Sequence, residues 1–306
     1  MTASAAVNSR VQPSCALWRS LAGVAAPIGT WRSPLRFAAN GPRGHGSDPE
    51  VELPTVTRAL DPASVSVWVC IPTYNERENV AAMATRLLEV FDASGIDGQV
   101  LIIDDGSPDG TGQIADGLSD KYARIHVLHR TSKDGIGPAY RDGFRHALAN
   151  GADLIMEMDC DFSHDPAAVP SLVQAAKRAD LVLGSRYTTG GRVEDWGVLR
   201  RAISRWGSLY AQVILGIPVR DLTGGFKCFR RDVLEAIPLY EVAGAGYVFQ
   251  IEMTYRTHLL GYRIVEVPIT FSDRERGSSK MSRRIVIEAM ALVPRLKWQL
   301  GRRRRP

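Results

Sequence analysis

The chain has 306 residues, 45% hydrophobic and 23% charged with 28 glycines and 17 prolines, which is ordinary globular material with enough apolar residue for a substantial core. Its net charge of +5 suits phosphorylated substrates, an anionic membrane surface or nucleic acid, although much of the excess sits at the two ends. Four scattered cysteines (Cys15, Cys70, Cys160, Cys228) with no C-x-x-C argue against a disulfide framework or zinc site, and no apolar run reaches the roughly 18 residues of a membrane span, 206–219 and 20–31 being too short.

The first stretch, 1–64, reads as an N-terminal extension. Before Asp48 its only full charges are Arg10, Arg19, Arg32, Arg36 and Arg43, set among Ala, Ser, Gly and Pro. A disordered start, an Arg-rich targeting segment and a weak surface-binding arm all fit that composition. From residue 65 the texture changes. Residues 65–71 form an apolar run closed by Pro72, the pattern of a buried strand. The periodicity then predicts a helix over 76–91, a strand over 100–103, a helix over 111–122 and a strand over 125–128. A helix over 137–150, a strand over 154–158, a helix opened by Pro166 over 166–178 and a strand over 181–184 follow.

Strands alternating with helices imply an α/β fold with a mostly parallel sheet flanked by helices. Ligands of such sheets bind beyond the carboxyl ends of the strands. Four polar segments fall at those ends: 73–76, 104–110, 159–165 and 185–187. The second half is less regular, with helices expected over 202–215 and 247–260 and strands over 226–229 and 262–267. Residues 281–300 read as an amphipathic helix, followed by the basic run 302–305. The expected organisation is therefore an extension (1–64), a catalytic domain (65–280) and an amphipathic helix with a basic tail (281–306).

Asp159-Cys160-Asp161 places two carboxylates two residues apart where the chain leaves a strand. Both can reach one hard cation, Mg²⁺ or Mn²⁺, which prefers oxygen and commonly bridges carboxylates to substrate phosphates. An isolated triplet of this kind is also what an exposed acidic turn looks like. Its position after an apolar strand, and the polar run Ser163-His164-Asp165-Pro166, favour the metal reading. The segment from Asp104 to Gly110 has turn chemistry, yet turns do not require adjacent carboxylates at a strand exit. One of Asp104 and Asp105 can accept hydrogen bonds from a base N–H or from ribose hydroxyls. Arg186, Arg200, Arg274 and Lys280 each look like surface charges, but together they suit a second, anionic substrate.

Pro72-Thr73-Tyr74-Asn75-Glu76, the 104–111 segment and Asp159 through His164 resemble family 2 glycosyltransferases, and more narrowly dolichol- or polyprenol-phosphate mannose synthases. Gly184-Ser185-Arg186-Tyr187, Asp221 through Phe226, Gly244 through Glu252 and Asp273 through Lys280 are similar to that subfamily. The resemblance covers roughly 65–290. It implies a GT-A fold and transfer of mannose from GDP-mannose to a polyprenyl phosphate lipid. Pro72, Tyr74, Glu76, Asp104 and Asp105 would hold the nucleoside, with Arg274 and Lys280 on the donor phosphates. Asp159, Asp161 and Ser163 would bind the metal, Ser163 standing where some members carry Gln. Arg186, Arg200 and Ser204 would hold the acceptor phosphate, so that Asp161, Arg186 and Arg200 carry the catalytic burden. Cys160 and Phe162 replace the commoner Ala and Leu.

A phosphate oxygen is already anionic at neutral pH and needs no strong general base, so inversion at the anomeric carbon is expected. The acceptor's lipid keeps it in a bilayer, and no nucleic-acid partner is expected. Helix 281–300 would either lie in the interface or pack on the domain, and a separate integral membrane protein would serve as anchor. The expected location is the cytoplasmic face of the membrane, held peripherally. Transfer of glucose from UDP-glucose, a nucleotide-sugar-binding scaffold without activity and a D-x-D phosphatase are the competing readings.

Overall fold

The computed structural model describes residues 65–242, 244, 246–273 and 283–302, with side chains of the last helix described over 290–301. The N-terminal extension, Arg274 and Lys280 lie outside them.

Strand β1 (Ser66–Thr73) lies at the centre, hydrogen-bonded in parallel to β2 (Asp97–Asp104) and β4 (Leu154–Glu157). Side chains alternate along a strand, and here the alternation feeds two separate cores. Trp68, Cys70, Leu101, Ile103 and Ile155 point to one face, and Val67, Val69, Ile71, Val100, Ile102, Leu154 and Met156 to the other. The second face is covered by α1 (Val80–Ser94), α2 (Thr111–Lys121) and α4 (Val169–Ala176), and the first by α3 (Ile136–Ala149) with the later helices. Gly143 lets α3 sit close to the sheet, because a Cβ there would lie 2.4 Å from Ile103 Cδ1 and 3.3 Å from Cys70 Sγ.

Strand β3 (Ile125–His129) closes one edge against β2. Beyond β4 the sheet continues through β7 (Lys227–Arg230), β5 (Leu181–Ser185) and β8 (Ile264–Pro268), giving the order β3-β2-β1-β4-β7-β5-β8. Strand β7 is antiparallel to both neighbours. Periodicity carries no direction, so this strand could not be oriented from sequence. It returns to the sheet after an excursion through α5 (Val198–Leu215) and enters from the opposite rim. The sheet is mostly parallel with helices on both faces, as the GT-A expectation required.

Several boundaries move. Helix α1 starts at Val80, because Asn75 takes a left-handed conformation (φ 58°) and residues after it form a turn in which Glu76 C=O accepts from Asn79 and Val80 N–H. The helix expected from Pro166 splits into a 3-10 turn (Pro166–Ala168) and α4. Two features are too short to show periodicity: α6 (Arg231–Ala236) and a small sheet of β6 (Arg192–Val193) with β9 (Thr270–Phe271). Helix α7 is Tyr247–Leu259.

The final helix α8 (Arg283–Arg302) buries Val293, Leu296 and Leu300 in the same core as α3 and α7, while Met290 and Trp298 stay exposed. Tyr210 of α5 donates its hydroxyl to Met290 C=O at 2.8 Å. Among the described residues no helix is long and apolar enough to cross a membrane.

Candidate active site

Strands β1, β2, β4 and β5 all run the same way, so their carboxyl ends share one rim. The loop after β2 laces the loop after β1 by backbone donors: Asn75 N–H to Ser107 Oγ (3.1 Å), Glu76 N–H to Thr111 Oγ1 (3.0 Å) and Arg77 N–H to Asp109 Oδ2 (3.1 Å). Burial would raise the Asp109 carboxyl, but the donors of Thr111 and Arg77 together more than offset it and leave it below the usual range.

The paired carboxylates Asp104 and Asp105 do different work. Asp104 is buried and accepts from Ser107 Oγ (2.5 Å), Ser107 N–H (3.1 Å) and Thr73 Oγ1 (3.4 Å), which makes it a loop fastener. Asp105 meets Arg130, which follows β3, at 2.5 Å. Arg130 also bonds Asp142 at 2.8 Å and lies 3.5 Å from Asp134. Burial, with the charges of Asp104 and Asp134, holds the Asp105 carboxyl above its usual range although Arg130 pulls it down. Lys133, in the same loop, places its ammonium 3.5 Å from the centroid of the Tyr74 ring. Pro72 and Tyr74 are half-buried beside this set. Arg130 and Lys133 escaped sequence reading because single cations in a polar loop carry no pattern.

After β4 the chain turns through Asp159-Cys160-Asp161-Phe162-Ser163. Phe162 is left-handed (φ 60°), an uncommon state for a bulky residue that marks a constrained loop. The turn buries Cys160 and Asp161 and leaves Asp159 half-buried. Asp161 Oδ1 accepts from Ser163 N–H (3.1 Å) and Ser163 Oγ (2.6 Å). Asp159 donates its backbone N–H to His164 Nδ1 at 3.2 Å. Burial, aided by Arg186 and opposed by Asp161, lowers the His164 pKa to about 4. The ring is therefore neutral at pH 7, and with Nδ1 accepting, its proton sits on Nε2. His164 stacks on Phe226 (centroids 5.0 Å apart) and meets Phe271 edge-on.

Two carboxylates on one short loop, one buried and one half-buried, fit a hard divalent cation. Among the described residues no three His, Cys, Asp or Glu side chains converge as a metal cluster. A substrate diphosphate would therefore have to complete the shell, as it commonly does for Mg²⁺. The hydroxyl proton of Ser163 is committed to Asp161, so only its oxygen lone pairs remain for a metal.

The basic side of the rim follows β5. Arg186 is buried and gripped by Asp221 through Nε (2.7 Å) and Nη2 (2.6 Å), with Thr223 Oγ1 at 2.9 Å from Nη2. Burial alone would lower the Arg186 pKa, but Asp221 more than offsets it and the guanidinium stays charged. Burial likewise would raise Asp221, and Arg186 holds it below the usual carboxylate range. Arg200 on α5 bonds both oxygens of Asp273 at 2.9 Å and lies 4.1 Å over the Trp196 ring. Among the described residues its Nε is buried with no hydrogen-bond partner. Ser204, one turn along α5, accepts from Tyr187 Oη at 2.7 Å. Arg186 lies 5.2 Å from the Tyr187 ring and 5.8 Å from that of Trp196, so Arg186, Arg200 and Ser204 belong to one cluster. Asp221, Trp196 and Asp273 organise it. No periodic or charge signal distinguished Trp196.

The chain matches the family model for glycosyl transferase family 2 over residues 68–237, more than half its length. It is 48% identical over 237 residues to the undecaprenyl-phosphate mannosyltransferase of Micrococcus luteus, covering 78% of this chain and 95% of that one. It is 44% identical over 253 residues to the polyprenol monophosphomannose synthase of Mycolicibacterium smegmatis, covering 82% and 91%. Among solved structures, a Mycobacterium tuberculosis glucosyl-3-phosphoglycerate synthase complexed with Mn²⁺ and UDP-glucose superposes with a TM-score of 0.56 at 19% identity, over 78% of this chain and 80% of that one. That last likeness establishes the fold. With a match over more than half its length and close relatives aligned along nearly their whole chains, the protein belongs to glycosyl transferase family 2.

Proposed function

We propose that this enzyme transfers mannose from GDP-mannose to polyprenyl phosphate, giving polyprenyl-phosphate mannose and GDP with inversion at the anomeric carbon. The observation that carries the reading is that His164, behind the Asp159-x-Asp161 loop, feels the charges of both Asp161 and Arg186, so the carboxylate loop and the Arg186 end of the Arg186/Arg200/Ser204 cluster lie close together on one rim. The names of the two mannosyltransferase relatives supply the sugar and the lipid class.

On this reading residues 65–280 form the catalytic domain. Pro72, Tyr74, Glu76 and Asp105 hold the nucleoside, and Asp104 shapes their loop from within. Asp159 and Asp161, with Ser163 beside them, would hold Mg²⁺ or Mn²⁺, which when bound neutralises charge on the departing diphosphate. Arg274 and Lys280 serve the donor phosphates. Nη1 of Arg186 and Nη2 of Arg200 make no hydrogen bond among the described residues, which leaves both cations donors for an acceptor phosphate. Asp221 and Asp273 fix those guanidiniums in place, so that alignment and charge screening are prepared before two anions meet.

The lipid side of the acceptor matches α5. Val198, Trp206 and Val213 are 85%, 69% and 68% exposed, and Leu199, Ile203 and Leu209 extend the stripe. A row of large apolar side chains beside Arg201 and Arg205 suits the interface of an anionic bilayer. The proposed location is peripheral, on the cytoplasmic face, with a separate integral membrane protein as a further anchor.

The test is a donor–acceptor assay with a short polyprenyl phosphate, GDP-mannose or UDP-glucose, with and without EDTA. Metal-dependent β-mannosyl product from GDP-mannose is expected. Transfer only from UDP-glucose, or product of retained configuration, would overturn the reading.

A further inference from the structure

Strand β7 begins directly behind the Asp159-x-Asp161 loop, and Gly225, Phe226 and Lys227 pass close to it in turn. A Cβ built on Gly225 would lie 4.0 Å from Asp159 Oδ1 and 3.5 Å from Gln250 Nε2. Phe226 stacks on His164, which in turn accepts the Asp159 N–H. Lys227 stands opposite Glu157 in the β4–β7 ladder, two residues before Asp159.

Lys227 and Glu157 are both fully buried. The Lys227 ammonium donates to Gln250 C=O at 2.7 Å and to Gln250 Oε1 at 2.6 Å. An ammonium has no acceptor, so this bond decides which end of the Gln250 amide faces inward. Oε1 turns to Lys227, and the NH₂ group turns to the space beside Gly225, where the Gln250 side chain also acts on Glu157 at the end of β4. Burial pushes the Glu157 carboxyl up to about 7, opposed by the Lys227 ammonium and by the Gln250 side chain beside it, and among the described residues neither oxygen has a hydrogen bond of ordinary geometry. A buried ion pair is a poor source of stability compared with apolar residues of the same volume. Its place immediately under a candidate metal loop calls for another explanation.

We infer that Lys227 and Gln250 are positioning residues of the Asp159-x-Asp161 loop: Lys227 ties strand β4 to helix α7 and orients the Gln250 amide, so that the two carboxylates are presented at one fixed spacing to a metal–diphosphate. The inference rests on the proposed role of Asp159 and Asp161. Outer groups of this kind set metal affinity because they decide where the ligating oxygens sit.

The test uses the full chain and reads binding of Mn²⁺ with GDP, from the free Mn²⁺ resonance signal, beside the denaturation midpoint. Removing Lys227 alone would strand the Glu157 carboxylate, so the informative variants are Lys227→Met with Glu157→Gln, and Gln250→Met, which keeps volume. Both are expected to keep a midpoint near that of the parent and to bind Mn²⁺–GDP about 10–100-fold more weakly. Parent-like Mn²⁺–GDP affinity in Gln250→Met, whether or not the double variant folds, would overturn the inference. A parent protein that binds neither GDP nor UDP with Mn²⁺ would instead remove the reading of Asp159 and Asp161, and this inference with it.

Discussion

Both carboxylate oxygens of Asp221 grip the guanidinium of Arg186, at 2.7 and 2.6 Å, and both side chains are buried. A bidentate pair of this kind orients the arginine as well as neutralising it. Asp221→Asn leaves the cation buried without its partner, which costs about 3–5 kcal/mol. Denaturant titration at pH 7 should show that loss. Because Asp221 titrates below its ordinary value when folded, its contribution is present above about pH 4 and fades as pH falls through the depressed folded value. The variant should lack that acid limb.

Asp161 and Ser163 offer a graded pair. Asp161→Asn removes a charged ligand and should lower kcat/KM for mannosyl transfer by about a hundredfold or more. Ser163→Ala keeps the backbone donor to Asp161 and loses only the 2.6 Å hydroxyl bond. It should raise the Mn²⁺ concentration for half-maximal activity by about tenfold. Steady-state assays across a metal titration measure both. An Asp161→Asn protein with full activity would sink the assignment.

Arg130 neutralises Asp105 and Asp142 together. Arg130→Met should raise the KM for GDP-mannose by about tenfold with a much smaller change in kcat, the pattern of a group that organises donor binding. An unchanged KM would place the nucleoside elsewhere.

Three thiols report on integrity of the core. Cys70, Cys160 and Cys228 are buried; burial pushes the Cys228 thiol up to about 12 and raises the other two as well. Thiolate is the reactive form, so none of the three should react with a maleimide at pH 7.5 in the folded protein. Mass spectrometry should find all three modified only after denaturation.

Trp206 and Val213 lie on the exposed face of α5 and contribute little to the core. Trp206→Glu with Val213→Glu should leave the far-UV circular dichroism unchanged and weaken partition onto anionic vesicles by about tenfold or more. Equal binding by the double variant would move the membrane contact to another surface, with Met290 and Trp298 of α8 the next to test.

Much of the architecture was legible in the chain itself. Runs such as Val67–Ile71 are apolar on both sides of the pleat, which marks a strand covered on two faces, and the helices between them are amphipathic. Strand ends carrying Asp104, Asp159 and Arg186 were visible because polar clusters interrupt apolar runs there. These are local signals, set by composition and period.

What only the tertiary structure decided depends on residues far apart in sequence. Asp104 and Asp105 look equivalent as neighbours, yet alternation sends one into its own loop and the other to Arg130. The direction of β7, and the meeting of its Lys227 with Glu157 of β4 and Gln250 of α7, join β4 to segments seventy and more residues later, which periodicity cannot orient. The apolar stripe of α5 reads in sequence like any core-facing helix. Only packing shows that its far side has nothing over it among the described residues, because burial belongs to the assembled surface and not to the helix.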